Sequence, residues 1–226
     1  MIQNLLALFA PMLLGAQIIL TLVLVKGEIC PGQRGRVHKL LPILAVIWLA
    51  VSSLKIEAFM VTAALTYFYT QVQTKKTREK GPLWVMYLAN GLALAYVAIM
   101  LGEQTNLAAS ANVFMQILLL GGCFAQLLLV VARSRLQAFQ RILPVVGVVS
   151  AMLTSLTILG AIYGLPDSEL EQLIMPLFTS FGAMIVGVVV WCWHMFSHKA
   201  ANKVQLGLAL TALLVASLAS QSLPVL

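Results

Sequence analysis

The 226 residues are 61% hydrophobic and 9% charged, against roughly 45–50% and about 25% in typical soluble domains. So few charges cannot cover a water-facing surface, which excludes a soluble globular enzyme, and so much apolar surface excludes a disordered chain. The formal charge of +7 comes from 14 basic and 7 acidic residues, and with no aromatic-interleaved basic patch it gives no case for a nucleic-acid partner.

A hydrocarbon core of about 30 Å takes about 20 apolar residues per helix. In chain order, the first such span is Leu5–Val25. Leu40–Tyr69 follows, apolar but interrupted by Lys55 and Glu57. Then come Leu83–Leu101, Val113–Ala132, Ile142–Gly164, Pro176–Phe196 and Val204–Leu223. No strand-like alternation is present, and a helix satisfies its own backbone in lipid. The first positive charge, Lys26, follows the first span rather than preceding it. This predicts a retained first helix whose N-terminus lies outside.

The interrupted segment is one long helix or a hairpin of two short ones, 40–54 and 57–72. Basic residues concentrate on the cytoplasmic side of membrane proteins. With the hairpin, thirteen of the fourteen fall on one side: Lys26, Arg34, Arg36, Lys39, Lys75, Lys76, Arg78, Lys80, Arg133, Arg135, Arg141, Lys199 and Lys203. Glu103, Asp167, Glu169 and Glu171 fall on the other, where Lys55 is the exception. With a single helix the thirteen split four against nine. The expected fold is therefore all-α: one polytopic transmembrane bundle spanning 1–226, with eight helices and both termini outside (periplasmic). The short hairpin helices, about 22–25 Å each at 1.5 Å per residue, are thinner than the core. The expected location is the bacterial inner membrane.

Trp84, Tyr87, Tyr67, Tyr69, Trp191 and Trp193 fall near predicted inner boundaries, as an interfacial belt requires. Gly121, Gly122, Gly182 and Gly187 are small enough for close helix approach. Cys30, Cys123 and Cys192 form no CxxC pair, so a metal or disulfide role is not expected. His38, His194 and His198 all fall near the predicted inner surface, so the expected state is interfacial and solvated. A haem would need axial ligands within the bundle. No hydrolase, metalloprotease or nucleotide-binding motif is present.

Lys55 and Glu57, at the hairpin tip, are the unusual site. An outer-surface turn whose charges reach water explains them. So does a polar pocket for a quinol headgroup, where a carboxylate or ammonium takes or steers a proton. Gln17, Asn90 and Gln116, with Gln126, Thr154 and Ser155, punctuate the helices. Inter-helix hydrogen bonding is their default role, and a substrate path through Gln17, Asn90 and Gln116 is the functional alternative.

This layout resembles the membrane-anchor subunit of bacterial dimethyl sulfoxide reductases. Two stretches carry the likeness besides the topology. One is Leu22–Val23–Leu24–Val25–Lys26–Gly27–Glu28 before a short basic loop. The other is Asn112–Val113–Phe114 running into Leu118–Leu119–Leu120–Gly121–Gly122. The family carries a histidine at the outer end of its second helix, tied to quinol oxidation; here Leu54–Lys55–Ile56–Glu57 stands there. The resemblance implies a haem-free anchor that docks an iron–sulfur subunit and a molybdenum-containing catalytic subunit. Menaquinol or ubiquinol would be its substrate. A small transporter or channel, and a structural subunit with no site of its own, are the competing readings.

Overall fold

A computed structural model describes residues 2–27, 29–74, 80–133, 137–163, 165–197, 200–221 and 223. Glu28, Lys75, Lys76, Arg78, Arg135, His198 and Lys199, all used above, lie outside the described residues. Among the described residues there are nine helices and no strand: α1 (Ile2–Lys26), α2 (Pro31–His38), α3 (Leu41–Val51), α4 (Ala58–Thr74), α5 (Leu83–Gly102), α6 (Leu107–Val131), α7 (Gln137–Ile162), α8 (Asp167–Phe196) and α9 (Lys203–Gln221).

Eight of these build the bundle. α1, α5, α6, α7, α8 and α9 are each long and apolar enough to cross a membrane. α3 and α4 form the shorter hairpin. The ninth, α2, is a polar helix of eight residues, where the sequence predicts only a loop. Pro31 starts it, because proline lacks the N–H that a first helical turn leaves unbonded.

The hairpin turn falls at 52–57, so α3 has 11 residues, fewer than its composition predicts. The reason is local. The Ser52 and Ser53 hydroxyls each donate to the carbonyl three residues back, those of Leu49 and Ala50, at 2.7 Å. Hydroxyls that bond nearby backbone compete with helix continuation. At the other extreme, α8 begins well before the predicted Pro176 and carries that proline inside it. Glu169 and Glu171 lie in its first turns, where the helix dipole favours negative charge.

α1 and α6 form the centre. In each, 72% of the most apolar stretch is buried, against 22–39% in the other four long helices. They cross at Gly15 and Gly121. A Cβ on Gly121 would lie 2.6 Å from the Gly15 Cα, and one on Gly15 would overlap the Ile117 carbonyl oxygen. Around α1, helices α3, α4 and α5 close one ring of four. Around α6, helices α7, α8 and α9 close a second. Gly187 packs against Leu213, and Gly122 against Trp191. Gly182 faces open space and mediates no approach.

Lys26, Arg34, Arg36, Lys39, Lys80, Arg133, Arg141 and Lys203 gather at one end of the bundle, the basic end. Arg36 donates to the Arg133 carbonyl there, joining α2 to the end of α6. The opposite end carries the α3–α4 turn and is called the turn end. Trp84, Tyr87, Tyr67 and Trp193 are exposed, as the belt reading needs. Trp191 is not: it is fully buried, donates to Gln126 Oε1 at 2.8 Å, and presses on the space left by Gly147. Its indole N–H has a polar partner only inside the bundle, which draws it out of the belt.

Candidate functional site

At the turn end, Lys55 is ion-paired to Glu103, the residue that closes α5, and both are exposed. This pairing accounts for the one basic residue that breaks the charge pattern. The Glu103 carboxylate, hydrogen-bonded to the ammonium, raises the Lys55 pKa above its ordinary value. Lys55 therefore stays charged at neutral pH. It supplies a fixed field rather than an exchangeable proton. Glu57 is exposed and close enough to act on Lys55 electrostatically, as is Tyr96. Of the two residues named from sequence, Glu57 is the carboxylate, and it faces water.

Gln17 and Asn90 are brought together deep in the first ring. Gln17 Nε2 donates to Asn90 Oδ1 at 2.9 Å, and Asn90 Nδ2 donates to Thr21 Oγ1 at 3.0 Å. Trp48 Nε1 donates to Gln17 Oε1 at 3.0 Å, and its ring meets Tyr96 edge-on at 5.8 Å. These bonds tie α1, α3 and α5 into one closed polar network. Every side-chain atom of Gln17 that needs a partner has one, so the network is glue between helices.

Gln116 stands apart from that network. It lies on α6 and donates through Nε2 to Asn112 Oδ1 at 2.7 Å, one turn earlier on the same face. Asn112 Nδ2 in turn donates to Thr157 Oγ1 on α7 at 3.3 Å. Gln116 Oε1 is buried, and no donor among the described residues reaches it. Gln116 and Asn112 form the floor of a cavity of about 230 Å³ at the turn end. Its walls come from the start of α1, the end of α5, the start of α6 and the end of α9. Five of its lining residues are carboxamides: Asn4, Gln104, Asn112, Gln116 and Gln221. Burial deepens from exposed Asn4 at the rim, through half-buried Gln104 and Gln221, to Asn112 at 3% and Gln116 at 0% exposure. Gln104 directly follows Glu103, so the ion pair and the cavity share the end of α5.

Three of these five, Asn4, Gln104 and Gln221, were not singled out from sequence. They sit at helix ends, where an amide looks like ordinary surface. Asn112 appeared only within a motif. The legible signal was its four-residue spacing from Gln116, which puts both amides on one helix face.

His38 and His194 are not solvated at the surface. His38 ends α2 and is fully buried, its ring edge-on to Phe68 at 5.6 Å. His194 is 7% exposed, with Nδ1 2.8 Å from the Trp191 carbonyl oxygen and Nε2 3.2 Å from that of Gln140. The start of α7 covers it, a contact between distant segments that no local pattern announces.

A protein-family profile described as an integral membrane domain matches residues 1–226. A protein of Haemophilus influenzae, described as uncharacterized, is 34% identical over 151 residues. The match covers 62% of this chain and 56% of that relative, so the chain spans little more than half of the relative's length. No solved structure matches. With its whole length matched and its helices packed as a multi-pass bundle, the chain belongs to this family of integral membrane domains.

Proposed function

We propose that this chain is the quinol-interacting membrane anchor of a multi-subunit molybdenum/iron–sulfur oxidoreductase in the bacterial inner membrane. The observation that carries the reading is the amide-lined cavity at the turn end, whose Gln104 directly follows the Glu103 of the Lys55–Glu103 pair. Polar groups inside a membrane domain are costly and mark sites when they line a cavity. A purely structural bundle would close them, as the Gln17 network is closed.

In this reading the basic end faces the cytoplasm and the turn end, with both termini, faces outside. A quinol enters headgroup first at the turn end. Its oxidation to quinone releases two electrons and two protons. Glu57 takes the two protons in turn from the headgroup side and passes each to outer water. The electrons go to an iron–sulfur partner subunit, and the catalytic chemistry lies in a molybdenum-containing partner.

Glu57→Ala is expected to lower quinol-linked electron transfer about tenfold, because a positioned carboxylate speeds proton transfer by at least that factor. Lys55→Ala is expected to lower it less. Both are measured as quinol-dependent reduction of the acceptor in membranes. Wild-type rates in both variants would overturn Lys55 and Glu57 as the proton site.

A further inference from the structure

At the basic end, another cavity of about 370 Å³ opens between the last turns of α4 and the start of α5. Tyr67 and Gln71 reach it from α4, where their four-residue spacing puts both on one helix face. Lys80 and Trp84 face them from the far side, across Val72. The back of the cavity is fixed by packing. Gly81 has a φ of +70°, in the left-handed region that favours glycine. A Cβ there would lie 2.7 Å from Val72 Cγ2 and 3.1 Å from Phe68 Cζ. Glycine therefore lets the chain turn this close to α4, and Pro82 follows as the residue that caps α5. Phe68 itself is fully buried, with the buried His38 ring edge-on to it. The rim is open by contrast. Tyr67, Lys80 and Trp84 are exposed and Gln71 is half-buried, so a ligand reaches every polar group of the site.

The lining selects the ligand by charge first. Lys80 is the one charged side chain among the described lining residues. Lys55 has its carboxylate in Glu103, but among the described residues no carboxylate pairs with Lys80. In sequence, 75–80 holds four basic residues against Glu79. An anion is the ligand that such a site draws, and a lysine ammonium is a compact charge suited to phosphate oxygens. Beside that charge, the Gln71 amide and the Tyr67 hydroxyl each offer a donor and an acceptor, which suits hydroxyl groups on the ligand. The remaining surface is apolar or aromatic: Val72, Pro82 and the ring of Trp84. Tyrosine and tryptophan sit where headgroups meet acyl chains, because their rings take the apolar side and their polar atoms the wet one. A free phosphate ion makes no use of that surface, and a lipid does.

We propose that this cavity holds the headgroup of an anionic phospholipid that also carries hydroxyls, of the phosphatidylglycerol class. Lys80 meets the phosphate, Gln71 and Tyr67 meet the glycerol hydroxyls, and Trp84 lies along the start of the acyl region. An ethanolamine headgroup brings its own ammonium beside Lys80 and no hydroxyl for Gln71, so it binds less well. The site lies at the opposite end of the bundle from the amide-lined cavity and is independent of the quinol reading.

The intact chain is purified in mild detergent, and bound lipid is counted by native mass spectrometry. Phosphatidylglycerol and phosphatidylethanolamine with the same acyl chains are titrated separately. The wild type is expected to bind phosphatidylglycerol at least about fivefold more tightly. Lys80→Gln is expected to abolish the preference and Lys80→Arg to keep it. Gln71→Leu keeps the charge and is expected to weaken phosphatidylglycerol about fivefold, with phosphatidylethanolamine unchanged. Lys203→Gln removes a basic-end charge at the start of α9 and is expected to stay within about twofold of the wild type. Lys80 and Lys203 are both exposed, so neither substitution disturbs packing. Equal affinity for the two lipids in the wild type overturns the proposal. So does a preference that survives in Lys80→Gln, or one that Lys203→Gln abolishes equally, which would assign it to the general charge of the basic end. Displacement of bound phosphatidylglycerol by inorganic phosphate at equal concentration makes the site one for a free anion and also overturns it.

Discussion

Gly121→Leu is expected to destabilise the bundle by about 3 kcal/mol or more. The new side chain would start 2.6 Å from the Gly15 Cα, and the same Cβ lies 3.1 Å from the Met12 carbonyl oxygen. These obstacles are backbone, so no rotamer change relieves them. α1 and α6 would have to separate, and both four-helix rings hang on that pair. Gly182→Leu is the matched control, since a Cβ there meets nothing within 4 Å. It is expected to change stability by less than about 0.5 kcal/mol, or to gain slightly from helix propensity. Unfolding in mixed micelles, with the yield of monodisperse protein, compares the two. Equal stability for both variants would contradict the central α1–α6 crossing.

Gln17→Leu is expected to cost about 1.5–3 kcal/mol. It leaves the Trp48 indole N–H and Asn90 Oδ1 without their partners in a dry interior. Hydrogen bonds between membrane helices average about 0.6 kcal/mol and reach about 1.7 kcal/mol, and Gln17 makes two across helices. Trp48→Phe is expected to cost less in the Gln17→Leu background than alone, with a coupling of about 0.6–1.7 kcal/mol. Additive costs would mean that the indole and the amide do not share a bond. A collapse of quinol binding without loss of stability would place Gln17 on a ligand path instead of in the glue.

The bundle was legible because membrane charges are few and each one is informative. Thirteen basic residues on one side distinguished a hairpin from a single helix, and the hairpin is present at 41–74. The turn came early because Ser52 and Ser53 bond back to Leu49 and Ala50, a choice that hydropathy does not register. The two rings of four were hidden, since they share no readable repeat and meet through Gly15 and Gly121. Trp191 was misplaced because an indole near a helix end fits both a belt and a buried bond to Gln126. In the candidate site, Lys55 stood out through its charge, and its partner Glu103 was read as ordinary surface. The cavity was largely invisible. Its amides come from α1, α5, α6 and α9, and only packing brings them together.

The most direct test of the proposed function is purification of the intact chain from native membranes in mild detergent, with iron, molybdenum and quinol oxidation measured on the same fractions. The anchor reading predicts one complex in which iron and molybdenum co-elute with the chain, and in which added menadiol or ubiquinol reduces the iron–sulfur centres. A chain that elutes without either metal and moves solute across proteoliposomes unaided would contradict it.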